Sequence, residues 1–157
     1  MNAADVHGPV DFVLIEFAGD RLTGRAAEAL LDLVDAGIIA LYDVLVVGKD
    51  ADGSSYAVEL TDDAEVLGGF ARLEWVRSGL LTEDDVRTAA EAMEAGSLAV
   101  LIVYENTWAV PFVAAARASG GELIAVGRIP AQDVIDALDA SEGSASGQPV
   151  PTMTAGA

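Results

Sequence analysis

Val13-Leu14-Ile15-Glu16-Phe17 and Val100-Leu101-Ile102-Val103-Tyr104-Glu105 are two versions of one phrase. Each sits in a short, nearly continuous apolar run, Val10–Phe17 (VDFVLIEF) and 98–104 (LAVLIVY). Such runs read as strands covered on at least one face. Each is followed by a helical stretch ending in small residues and glycine: Asp35-Ala36-Gly37 in the first half, Ser119-Gly120-Gly121 in the second. Each then gives way to another apolar run, residues 38–47 in one case and 123–129 in the other. Strand–helix–strand therefore occurs twice.

Working outward, 49–53 (KDADG) is hairpin punctuation, and 55–60 (SYAVEL) returns as a partly exposed strand. Two right-handed βαβ halves combine most simply as an antiparallel sheet with both helices on one face. The expected fold is thus α+β, a ferredoxin-like sandwich. A doubly wound parallel sheet is the competing architecture, and the hairpin at Asp52-Gly53 disfavours it. Leu22, Ala26, Ala29, Leu30, Leu33 and Val34 recur at helical spacing, with Thr23 as the expected N-cap.

Residues 61–95 interrupt the strands as an acidic helical insertion between the halves. One helix is expected over 62–75, with a kink at Gly68-Gly69, and a second from Thr82 to about residue 95. Thr82 with Asp85 three residues later fits a capping box, the acids of the first turn facing the helix dipole. Residues 1–9 read as a leader, 10–139 as one domain ending in a helix over 130–138, and 140–157 as a flexible tail.

Composition excludes several functions. The chain has 157 residues, 26 acidic against 8 basic side chains and a formal charge of −18, so nucleic-acid phosphates would be repelled. No cysteine is present and the single histidine is His7, which removes thiolate chemistry, His-based triads and two-His metal motifs. The longest charge-free apolar runs are too short for a membrane span, which needs roughly 20 residues. MNAADVHGP lacks the basic start and apolar stretch of a signal peptide, so a cytoplasmic location is expected. Phosphate loops and G-x-S-x-G elbows are missing, and Asp50, Asp52, Gly53 and Glu59 fail the EF-hand test because Gly48 stands where the first ligand should be. The expected cofactor and metal complement is none, and no catalytic residue is assigned.

Two sets of residues remain as site candidates. Glu16 and Glu105, each at the end of an equivalent strand, would form a pocket with Asn106 nearby, where carboxylates can act as acid or base. The stretch 107–119 (TWAVPFVAAARAS) carries only one charge, Arg117, so its helix is apolar on nearly every face. Trp108 and Phe112, four apart, share one face and are expected either under the 61–95 insertion or against another subunit.

The stretch Leu73-Glu-Trp-Val-Arg-Ser-Gly-Leu-Leu-Thr-Glu-Asp-Asp-Val86 resembles the helix–turn–helix of bacterial SHOCT domains. That resemblance implies an oligomerisation or docking role for Leu73, Trp75, Leu80 and Leu81. The core from Gly8-Pro9-Val10 through Asp50-Ala-Asp-Gly53 to Glu105-Asn-Thr-Trp108 and Gly120-Gly-Glu-Leu123 is similar to small acidic actinobacterial proteins of unknown function. Some of these are labelled stress- or membrane-associated. The expectation is a non-enzymatic module that binds itself or a protein partner. The alternative is a small-molecule-binding or catalytic domain using the Glu16/Glu105 pocket.

Overall fold

The computed structural model describes residues 6–18, 22, 24–61, 64–76 and 78–145. The chain divides into two compact units, residues 1–122 and 123–157. In the first, β1 (Val10–Phe17), α1 (Gly24–Asp35), β2 (Ala40–Lys49) and β3 (Ser55–Val58) precede α2 (Ala64–Leu67), α3 (Glu83–Ala92), β4 (Leu98–Glu105) and α4 (Val110–Ala118). The second unit contains α5 (Ala131–Ala145).

The strands form one antiparallel sheet in the order β1-β4-β2-β3. The fold is therefore mixed α+β, built on a split strand–helix–strand unit in which β4 lies between β1 and β2. Alternation assigns each strand two faces. On one face Val13, Val44, Val46, Val100 and Ile102 pack with Ala27, Leu67, Phe70 and Leu73. On the other, Leu14, Leu45, Val47 and Ala99 meet Val86, Ala89, Ala90 and Met93 of α3. The insertion thus covers a face that a simple two-layer sandwich leaves open.

Local chemistry explains the boundaries. Asp85 accepts hydrogen bonds from the Thr82 backbone N–H (2.7 Å) and hydroxyl (3.1 Å), so the expected capping box forms. The far end of α3 is closed by Lys49, whose Nζ donates to the carbonyls of Ala90 (2.8 Å) and Met93 (2.9 Å). The hairpin between β2 and β3 turns where expected, with Gly53 at φ +90. The Thr23 cap lies outside the described residues.

Three expectations are corrected. Among the described residues, the helix expected over 62–75 is α2 followed by a 3-10 segment, Gly68–Leu73, because Gly68 takes φ +55 and breaks the ladder; 62–63 lie outside the described residues. Residues 123–129 form no strand, since no described residues pair with them. Finally, α5 continues to Ala145, past the expected start of the tail, because 139–145 (DASEGSA) contains one helix-weakening residue, Gly143, rather than a breaker. The remainder of that tail, 146–157, lies outside the described residues.

Candidate functional site

The antiparallel ladder decides the fate of the carboxylate pocket. Glu105 pairs with Val10 and Glu16 with Ala99, at opposite ends of the β1–β4 pair. Six residues of strand separate them, roughly 20 Å. The two acids share no site.

Each acid has a local role instead. Glu16 accepts from the Glu94 backbone N–H (2.6 Å) and the Ser97 hydroxyl (2.9 Å), fastening the loop between α3 and β4. Glu105 is buried and accepts from the Tyr42 hydroxyl (2.6 Å) and the Gly8 N–H (2.9 Å), with His7 Nδ1 at 3.7 Å. Burial pushes its carboxyl up, but the hydrogen bonds from Tyr42 and Gly8 and the proximity of His7 outweigh that and hold it below the usual value. The hydrogen bond to Glu105 raises the Tyr42 phenol, with burial and the carboxylate's charge adding to it. Asn106 completes this end: its amide donates to Pro9 O (3.0 Å) and Asp11 Oδ2 (2.9 Å), and its Oδ1 accepts from Trp108 Nε1 (3.2 Å). Together these contacts clamp residues 7–9 onto the sheet.

Sequence reasoning missed two members of this framework. Tyr42 occupies a bulge, since Leu41 pairs with Tyr104 but Asp43 with Val103. The extra residue re-aims Tyr42 toward Glu105. Asp43, buried, accepts from Val44 N (3.0 Å) and Leu81 N (3.0 Å), tying the segment before α3 to the sheet. The available signal was one acid in the middle of an apolar strand run.

The apolar candidates separate by exposure. Leu73 is fully buried and serves its own core, which corrects its assignment to a contact surface. Leu81 is half-buried, while Trp75 and Leu80 are exposed. Trp108 is 64% exposed and Phe112 75%, so neither is covered by the 61–95 insertion. That half of the expectation is overturned. The helix–turn–helix over 73–86 is also reduced, because its first helix is the end of a 3-10 segment.

Two apolar grooves flank β1. One, of about 320 Å³, runs between Phe12 and Leu14 and the Leu81 and Ala89 side. The other, of about 440 Å³, lies on the opposite face among Val13, Ile15, Leu30, Leu33 and Trp108. Among the described residues there is no group of three or more His, Cys, Asp or Glu able to hold a metal, and no helix is long and apolar enough to cross a membrane.

Fold and surface define a small acidic α+β domain with exposed apolar faces. The chain belongs to a family of unknown function, DUF6325, which matches residues 6–144. No curated protein and no solved structure matches it.

Proposed function

We propose that this protein is a non-enzymatic assembly module whose apolar faces bind a second copy of itself. The observation that carries the reading is the exposed aromatic surface formed by Trp108, on the 3-10 turn Thr107–Ala109, and Phe112, on α4, whose single buried side chain is Val113. A single chain leaves these rings against water, and apolar patches of this kind mark contact surfaces. Trp75 and Leu80 extend the supply of exposed apolar side chains, in keeping with a docking role for the SHOCT-like stretch. The ferredoxin-like sandwich belongs to the same proposal, because its second βαβ half needs a strand after α4. A pocket using Glu16 and Glu105 together is not carried forward, since the ladder keeps them apart.

Light scattering coupled to size-exclusion chromatography at micromolar concentration tests the proposal. A mass of two or more chains is expected. Moderate salt should favour the assembly, because it screens the repulsion between chains of charge −18. A strict monomer at every concentration and salt overturns the reading.

A further inference from the structure

The helix α3 is finished at one end by its own residues and at the other by the sheet. Its first turn carries Glu83, Asp84 and Asp85, and the capping box of Thr82 with Asp85 satisfies the N-terminus within the segment itself. Its last turn holds no basic residue. The cation that belongs there comes from β2, where Lys49 Nζ donates to the carbonyls of Ala90 (2.8 Å) and Met93 (2.9 Å). Two further ties run the same way, from a sheet side chain to the segment around α3. Buried Asp43 accepts from Leu81 N (3.0 Å), and Glu16 accepts from Glu94 N (2.6 Å) and the Ser97 hydroxyl (2.9 Å).

The apolar contact is thin by comparison. The side chains that the segment buries against the sheet are Val86, Ala89, Ala90 and Met93, and two of these are alanines, whose burial removes little surface from water. α3 lies over β2 and β3, and the groove of about 320 Å³ stays open between it and Phe12, Leu14, Leu101 and Val103. Gly79 and Gly96 bracket the segment at φ +79 and +80, each with open space where a side chain would stand. Both positions can absorb a change of backbone direction without a clash.

We propose that residues 80–95 form a flap that leaves the sheet face as one unit, turning about Gly79 and Gly96, with Lys49 as its latch. The N-terminal cap survives the motion, because Thr82 and Asp85 travel with the helix. The C-terminal carbonyls pass from Lys49 to water, so release starts at that end. Opening uncovers Leu14, Leu45, Val47 and Ala99 and joins them to the groove beside β1, which changes the apolar surface that the domain presents. The flap is independent of the assembly reading and needs no second copy.

Native-state hydrogen exchange of the full chain, followed over a series of low urea concentrations, tests it. In the parent, the amides of α3 from Val86 onward should exchange as a group, faster than those of β4 and with a smaller urea dependence. Lys49→Met keeps the apolar stem and removes the donors. It should speed the α3 group by about 10- to 100-fold, as loss of hydrogen bonds from a charged group predicts, and leave β4 unchanged. Glu16→Gln keeps an oxygen and loses the charge, so it should speed the same group by less. A residue that merely stabilised the whole fold would move α3 and β4 alike. Exchange of α3 and β4 together, in the parent or in either variant, overturns the flap. Acceleration confined to the last turn, with Val86 and Arg87 unmoved, is fraying and overturns it as well. Should Lys49→Met fail to fold, the parent and Glu16→Gln decide alone.

Discussion

β1 and β4 have nearly interchangeable sequences and opposite surroundings. VDFVLIEF and LAVLIVYE are equally long and similarly apolar, yet every residue of β4 from Leu98 to Ile102 is buried, while no residue of β1 is. The difference is position. β4 is flanked by β1 and β2, and both of its faces are covered by helical segments, whereas among the described strands β1 has a neighbour on one side only. Apolar character therefore reports what a strand needs, and the sheet order decides whether the single chain supplies it.

The sharpest way to break the comparison is at the pair Ile15 and Val100, which stand opposite each other across the two strands. Val100 also pairs with Val46 and is fully buried. Val100→Asp buries a charge without a partner, a cost of about 3–5 kcal/mol. That is a large part of the ~5–15 kcal/mol that holds a domain together. Loss of a cooperative thermal transition in circular dichroism is expected. A variant melting like the parent would mean that β4 is not the centre of the core.

Ile15→Asp, directly across the ladder, should behave differently. The side chain is 43% exposed, so the folded subunit loses only about 1 kcal/mol, from the covered part of Ile15 and the low strand propensity of Asp. Its effect falls on assembly: light scattering should report a monomer with unchanged secondary structure. Unfolding instead would show that the edge of β1 is covered within the same subunit.

Trp108→Ala probes the second apolar surface. The exposed ring contributes little to the subunit's own stability, but as an interface anchor it contributes about 2 kcal/mol, or roughly 30-fold in dimer affinity. Sedimentation over a concentration series reads that change. An unaltered dimerisation constant places the ring outside the contact.

The strands were legible because period and composition mark them, and the split β1-α1-β2 unit followed from the repeated phrase. Direction was harder. Glu16 and Glu105 occupy corresponding places in two similar strands, but an antiparallel ladder sends those places to opposite ends. Residues 123–129 show the other limit: their sequence is strand-like, yet they carry no strand among the described residues. The break at Gly68 was visible as a Gly-Gly pair, although the sequence alone reads there as a kink in a continuing helix. The bulge at Tyr42 depends on long-range partners, Glu105 among them, that no local pattern announces.

The smallest expected effect concerns what holds the chain entry against the sheet beside β1 and β4. Glu105 sits below its ordinary value of 4.5, because the upward push of burial is outweighed by the hydrogen bonds from Tyr42 and Gly8 and by His7. Below 4.5 the unfolded chain therefore binds this proton more readily than the folded one. The contribution is fully present above that pH and disappears as pH falls through the lower folded value. Tyr42 runs the other way: its raised phenol contributes below its ordinary value of 10.0 and loses that contribution as pH climbs through the folded one. Glu105→Gln keeps an oxygen acceptor but removes the charge, so at neutral pH it should destabilise by about 0.5–1.5 kcal/mol. Urea melts of parent and variant, taken from neutral pH down through 4.5, should converge, because the parent loses what the variant never had. Everything else in the chain is common to the two proteins, so only the difference between the two curves speaks to Glu105. Parallel curves would mean that this carboxylate fastens residues 7–9 without contributing to acid stability.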